Sequence, residues 1–329
     1  MAVLRRLLLS VLALVTLLAP AAASAGPPGR APTVTRLSSD LEGALGSTIG
    51  PDRALYVTEG AAGRISRVDP VTGDITTFAS GLPERVIDIG GPVDVAFIGR
   101  TAYVLVTLVG PDVGGNDIVG IYRVDRRNRF TVVADIGAYS LAHPPDTSFF
   151  VPTGLQYALE AFRGGFLVTD GHHNRVLRVT RDGEITELRA FDNVVPTGLD
   201  LRGNTVYMAQ AGPVPHLPED GKVVSFRRKS AVTEVASGAR LAVDVEFGRG
   251  HSLFALSQGV FGGGPDGSPA LPNTGALLRV NNGTFDVVMD GLDRPTSLEF
   301  LRNTAYVVTL TGEIWKIDKL ARPPHRRPR

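Results

Sequence analysis

Five acidic residues recur at matching places in short apolar runs. Asp200, Glu246 and Glu299 are each the fifth residue of PTGLDL, AVDVEF and PTSLEF, while Asp94 and Asp244 are the third of PVDVAF and AVDVEF. Carboxylates held at one level by repeated strands can share a hard divalent cation, calcium or magnesium, through oxygen ligands. They can also divide into an acid and a base with separated pKa values, or simply line a wet channel. A second set stands at run ends and in polar stretches. Glu59 and Asp170 close apolar runs where Gln210 and Gln258 stand in other copies, and His143, His172, His173 and His216 fall in the intervening loops. Neutral imidazole is a metal ligand and a general base, though a loop histidine is equally at home in solvent. Asp170 suits either a ligand's role or that of an acceptor for backbone N–H groups in its own turn.

The elements that must position these residues are pairs of β-rich runs. Residues 166–179, FLVTDGHHNRVLRV, place Val, Leu, Thr and Phe on either side of a Gly-His-His-Asn turn, which predicts a β-hairpin. Five more such pairs begin at residues 54, 101, 205, 252 and 304, and the pairs end at Asp69, Asp125, Thr180, Arg227, Asn281 and Asp318, 37 to 56 residues apart. Six copies at this period predict an all-β fold, a six-bladed β-propeller with four strands per blade. First strands are predicted at 43–49, 92–97, 152–157, 196–201, 242–247 and 295–300, which sets Thr48, Ala96 and Gln156 level with Asp200, Glu246 and Glu299. No fourth strand follows Asp318. Residues 33–41, TVTRLSSDL, match the fourth-strand stretch ITTFASGL and are predicted to complete the last blade, which closes the ring.

Loop lengths separate two faces. Connections at 50–53, 99–100, 182–183, 203–204, 248–251 and 282–283 are tight, whereas 109–118, 137–151, 212–220 and 260–273 are long and fall together on the other face. Variable loops on a rigid scaffold carry most binding sites, so the long-loop face is where a ligand is expected. His251, in a tight turn, belongs to the opposite face.

The chain of 329 residues has no cysteine, which excludes disulfides, cysteine-ligated metals and thiol nucleophiles. A hydrophobic share of 43% with 38 glycines suits a single turn-rich β domain. The net charge of +1 provides no field for gathering nucleic acid. Arg5 and Arg6 precede an apolar run over 7–18, and Ala23-Ser24-Ala25 follows, so residues 1–25 read as a secretory signal too short to span a membrane comfortably. The expectation is a secreted, extracytoplasmic and soluble monomer, with the propeller over 26–320 and a basic tail over 321–329.

Residues 168–176, VTDGHHNRV, resemble the NHL-repeat signature through Asp170, Asn174 and the Arg175-Val176 pair. Over residues 33–320 the chain is similar to the ScyD/ScyE-like propellers, in Pro51-Asp52 with ALYVTE (54–59), GRISRVD (63–69), TVVAD (131–135) and VPTG (195–198). That resemblance implies an exported six-bladed propeller and no particular reaction. His172 and His173 depart from the small, glycine-rich turn of that family. A remoter resemblance, to gluconolactonase and SMP-type propellers, implies metal-dependent lactone hydrolysis with carboxylates and an asparagine in a Pro-Asn-Gly turn. Both corresponding turns here read Pro-Thr-Gly, at Thr153 and Thr197, and a neutral hydroxyl is a poorer ligand for a hard cation than an amide carbonyl. The sequence therefore favours a binding or accessory protein for a small molecule, glycan or protein. The alternative is a divalent-metal-dependent hydrolase, lactonase or lyase using the channel carboxylates.

Overall fold

The computed structural model describes residues 32–147, 151–228, 230–265 and 267–320. Both the signal expected over 1–25 and the basic tail over 321–329 lie outside them. Within them, six four-stranded antiparallel sheets form a ring, each sheet a meander from an innermost to an outermost strand. The innermost strands are Ala44–Ile49, Gly91–Ile98, Gln156–Phe162, Pro196–Arg202, Ala242–Phe247 and Pro295–Leu301, and they define blades one to six. Closure follows the expected clasp. Thr33–Ser38 pairs antiparallel with Ile314–Asp318, Thr33 opposite Asp318, and so becomes the outermost strand of blade six.

Each second strand is covered on both faces by neighbouring blades, which is why runs such as Leu55–Glu59 and Gly165–Asp170 are buried at every position rather than alternately. Aromatic pairs stitch four of the interfaces. Tyr56 meets Phe97 at 4.9 Å, and Tyr103–Phe166, Tyr207–Phe247 and Phe254–Phe300 each lie 4.8 Å apart. Such pairs add about 0.5–1.5 kcal/mol each beyond their buried area.

All six innermost strands share a register shift against their partners close to the start, for example between Pro196 and Leu199 and between Ala242 and Asp244. A bulge re-aims the side chains beside it. Here it does so at the mouth of the central channel, six times.

One strand differs from the sequence reading. The innermost strand of blade three begins at Gln156 and not at Pro152, because Pro152-Thr153-Gly154 is used up in a turn. Gly154 takes φ +85°, its N–H donates to the Val151 carbonyl, and Thr153 is anchored through its N–H and hydroxyl to the Asp112 carboxylate. The link before it also holds a short helix, Ile136–Ala142, capped by the Asp135 carboxylate accepting from Ala138 N–H at 2.7 Å.

Candidate functional site: a cup at the mouth of the channel

On the long-loop face the channel widens into a cavity of about 140 Å³, measured by the centres of water-sized spheres. One water needs roughly 10–15 Å³ on that measure, so the space suits a compact molecule. Two successive rings of innermost-strand residues build it. The upper ring is Leu45, Val93, Tyr157, Thr197, Val243 and Thr296; the floor is Gly46, Asp94, Ala158, Gly198, Asp244 and Ser297. Above them the loops add Ile89, His172, Leu241, His216, Gln258 and Leu310. The walls are mainly apolar.

The floor repeats itself after half a turn: glycine, aspartate and a small residue in blades one to three, then the same types in blades four to six. Both aspartates are fixed in the same way. Asp94 accepts from its own strand at Val95 N–H (2.8 Å) and from blade three at Leu159 N–H (2.7 Å). Asp244 accepts from Val245 N–H (2.8 Å) and from blade six at Leu298 N–H (2.7 Å). The preceding glycine is required in each case, since a Cβ on Gly46 would come within 2.4 Å of Asp94 Oδ1, and one on Gly198 within 2.1 Å of Asp244 Oδ1. Burial pushes the Asp244 carboxyl up to about 7, with the Asp200 charge adding to it and the two amides opposing. Asp94 is likewise pushed well above the usual carboxylate range, by burial first.

Below the floor lies a second acidic level. Register matches Asp200, Glu246 and Glu299 with Glu160, since each of the four faces the third residue from the start of its second-strand partner or its equivalent: Tyr207, Phe254, Tyr306 and Leu167. The four-residue offset in blade three thus removes Gln156 from this level and brings in Glu160, which sequence reasoning missed. The Leu-Glu of LEAF, parallel to Val-Glu-Phe and Leu-Glu-Phe in blades five and six, was the available signal. Gln156 instead accepts from Thr107 Oγ1 (2.7 Å) and donates to Asp170 (3.1 Å). Burial, reinforced by the neighbouring acids, raises Glu160 to about 8 and holds Glu246 and Glu299 well above their ordinary value. Asp200 bridges Leu201 N–H (2.5 Å) and Phe247 N–H (2.8 Å) of the next blade.

Among the described residues no three His, Asp or Glu side chains are grouped to hold an ion. The two Pro-Thr-Gly threonines are committed elsewhere, Thr153 to Asp112 and Thr197 to the Ala242 and Ala209 carbonyls.

The remaining long-loop candidates divide. His172 and His216 line the cup. His216 Nδ1 donates to the Gly212 carbonyl at 2.7 Å, and its ring meets Phe261 edge-on. The others hold turns together. Asp170 is fully buried and accepts from Arg175 Nε at 2.9 Å, and Arg175 goes on to Ser140 Oγ (2.9 Å) and the His143 carbonyl (2.7 Å). His173 bridges the Val151 carbonyl through Nε2 (3.0 Å) and Arg175 through Nδ1 (3.1 Å), while His143 stacks on Tyr139 at 4.3 Å. Asn174, at φ +52°, receives Val194 N–H and Val195 N–H on its side-chain oxygen. Glu59 has a structural duty as well: Arg64 binds it bidentately at 2.8 and 2.7 Å, and Ser66 Oγ and Glu42 N–H complete its shell.

No family model matches the chain, and no curated protein matches it. Solved structures share its fold. A gluconolactonase from Xanthomonas campestris aligns with a TM-score of 0.61 at 12% identity, over 87% of this chain and 89% of its own. The soluble aldose sugar dehydrogenase of Escherichia coli aligns with 0.59 at 14%, over 88% and 99%. A streptogramin B lyase aligns with 0.54 at 14%, over 89% and 99%. At these identities the likeness concerns the six-bladed propeller and goes no further.

Proposed function

We propose that the protein binds a small molecule in the cup on its long-loop face. The observation that carries this is the cup's construction: every blade contributes to both rings, the walls are apolar, and a few fixed polar groups converge on the floor, the usual composition of a ligand site. Among the described lining residues Tyr157 is the one phenyl ring, which disfavours a glycan that stacks on aromatics. The small volume of the cup, about 140 Å³, disfavours a protein partner. The resemblance to ScyD/ScyE-like propellers and the Arg5-Arg6 leader support an exported setting.

A screen of small molecules by thermal shift tests this, with Val243→Phe as the filled-cup control. Ligands are expected to raise the melting temperature of the wild type and not that of the variant. Stabilisation that survives in Val243→Phe removes the cup as the site.

The divalent-metal-dependent hydrolase, lactonase or lyase is the second reading, and the four-carboxylate level of Glu160, Asp200, Glu246 and Glu299 is what favours it. A melting temperature raised by calcium or magnesium in the wild type and unmoved in Glu246→Ala would bring it forward.

A further inference from the structure

Resting on the reading of the cup as a ligand site, we propose that its ligand is a compact amphiphile with a cationic head. An organic ammonium is seated between Asp94 and Asp244 while its apolar body lies against Leu45, Val93, Val243 and Leu241. Four features of the cavity lead there.

First, the carboxylates on the floor are acceptors once ionised. An ionised carboxylate has about four lone-pair directions; backbone amides take two on each aspartate and the Ser297 hydroxyl one more on Asp244, so both keep acceptor capacity on side chains that line the cup. A ligand that completes them must donate.

Second, no lysine or arginine among the described lining residues balances their charge. The groups beneath the cup, Glu160 on blade three, Asp200 on blade four, Glu246 on blade five and Glu299 on blade six, are acidic as well. His172 and His216 are the titratable bases among the described lining residues. An anionic ligand would meet like charge in a poorly solvated space, whereas a cation relieves it.

Third, the half-turn repeat of the floor places Asp94 and Asp244 three blades apart. Gly46 and Gly198 keep the adjoining places free of side chains. A head group is thereby approached from two opposite sides. Fourth, the walls are mainly hydrocarbon, with the Thr197 and Thr296 hydroxyls already donating to the Ala242 and Leu45 carbonyls, which suits an organic body better than a bare metal ion that needs a shell of oxygens.

The chemistry carries its own signature. With carboxyls raised by burial, Asp244 to about 7, an arriving ammonium favours their ionised forms, so binding near neutral pH releases protons. A neutral ligand does not.

Titration calorimetry on the full chain tests this with graded primary amines, from methylamine through 2-phenylethylamine to a naphthylethylamine. Each is paired with its alcohol, and 3-phenylpropanoate serves as the anionic counterpart. At least one amine is expected to bind about tenfold or more tightly than its alcohol, the gain of a charge-assisted hydrogen bond, with heats that vary with buffer ionisation. The propanoate should not bind. Asp94→Asn and Asp244→Asn should each remove most of the preference for the amine while leaving the alcohol's affinity in place, and the comparison among ligands on the wild type stands even if one variant folds poorly. Equal affinities for amine and alcohol, or no amine binding across the series, overturns the cationic head. The cup itself falls only if the wider screen also finds nothing that depends on Val243.

Discussion

Asp170 of blade three and Asp244 of blade five are both carboxylates withdrawn from bulk water, yet they are treated in opposite ways. Asp170 sits at the end of a second strand inside a finished shell of Arg175 and Gln156. Asp244, on an innermost strand, has two backbone amides, the Ser297 hydroxyl and no basic side chain, and its charged neighbours Asp200 and Asp94 are acids. The first arrangement is self-sufficient, which is what a turn needs to hold its shape. The second leaves charge uncompensated, and groups whose ionisation is made costly by burial and by like charge tend to be kept where a site uses them.

Breaking the finished shell should have the largest effect. Arg175→Met leaves Asp170 buried without a counterion and also strips Ser140 and the His143 carbonyl of a donor, so a loss of about 3–5 kcal/mol in chemical denaturation is expected. A loss below about 1 kcal/mol would show that the pair does not organise the turn.

The channel should respond to pH with the reverse sign. Asp244 (about 7) and Glu160 (about 8) keep protons in the folded protein that the unfolded chain releases near pH 4. Where the folded state holds more protons, stability falls as pH rises. Acidification from pH 8 to 5 should therefore stabilise the protein. A tenfold change in a proton's affinity is worth ~1.4 kcal/mol, and with several groups sharing the effect the gain is on the order of 2–3 kcal/mol. It should stop below pH 4. There Asp52, whose carboxyl Arg67 and Ala54 N–H hold down against burial, and Asp125, held down by Thr131 and Arg123, begin to lose their partners. A flat or falling profile between pH 8 and 5 would mean that a cation already neutralises the channel.

Arg64→Met should cost less than Arg175→Met, about 1–2 kcal/mol, although Glu59 is as buried as Asp170. Arg64 is one quarter exposed, so water can reach the vacated place; Arg175 is almost wholly buried. Equal costs would show that the two turns do not differ in this way.

The ring, its clasp and its two faces were legible because blade repeats impose a period that β-branched runs and tight turns make visible. Levels around the channel were less so. Pro-Thr-Gly reads identically at 152–154 and 196–198, yet the first is a turn drawn down by Asp112 and the second is strand, and that choice depends on a side chain some forty residues away. The error moved Gln156 into the acidic level and left Glu160 out. Partners of charged residues were equally hidden. His173 and Glu59 looked available because neither the link carrying Val151 nor the pairing of Glu59 with Arg64 and Ser66 across the hairpin could be read from spacing. The cup floor shows the same limit. Asp94 and Asp244 were marked by their place in the strand, but that they face each other through a half-turn repeat depends on Gly46 and Gly198 preceding them by one blade, a relation visible only once the ring is closed.

The smallest effect should come from Glu160→Gln, and it separates the acidic level from the floor. Glutamine keeps the shape and removes the charge, so the variant should match the wild type below about pH 4, where the glutamate is protonated in the folded and the unfolded chain alike. From there up to about 8 the unfolded wild type ionises while the folded one keeps its proton, and above it the folded carboxyl ionises against burial and against Asp200, Asp94 and Asp244; the variant does neither. As one member's share of the effect expected for the whole channel, an advantage on the order of 1 kcal/mol should build up between pH 4 and 8, level off by pH 9 and vanish on acidification. An advantage that persists at pH 4 would trace the effect to packing rather than charge. A variant less stable at pH 9 would mean that the ionised glutamate is held by a cation, and the acidic level, rather than the cup above it, would then be the place to look for the ligand.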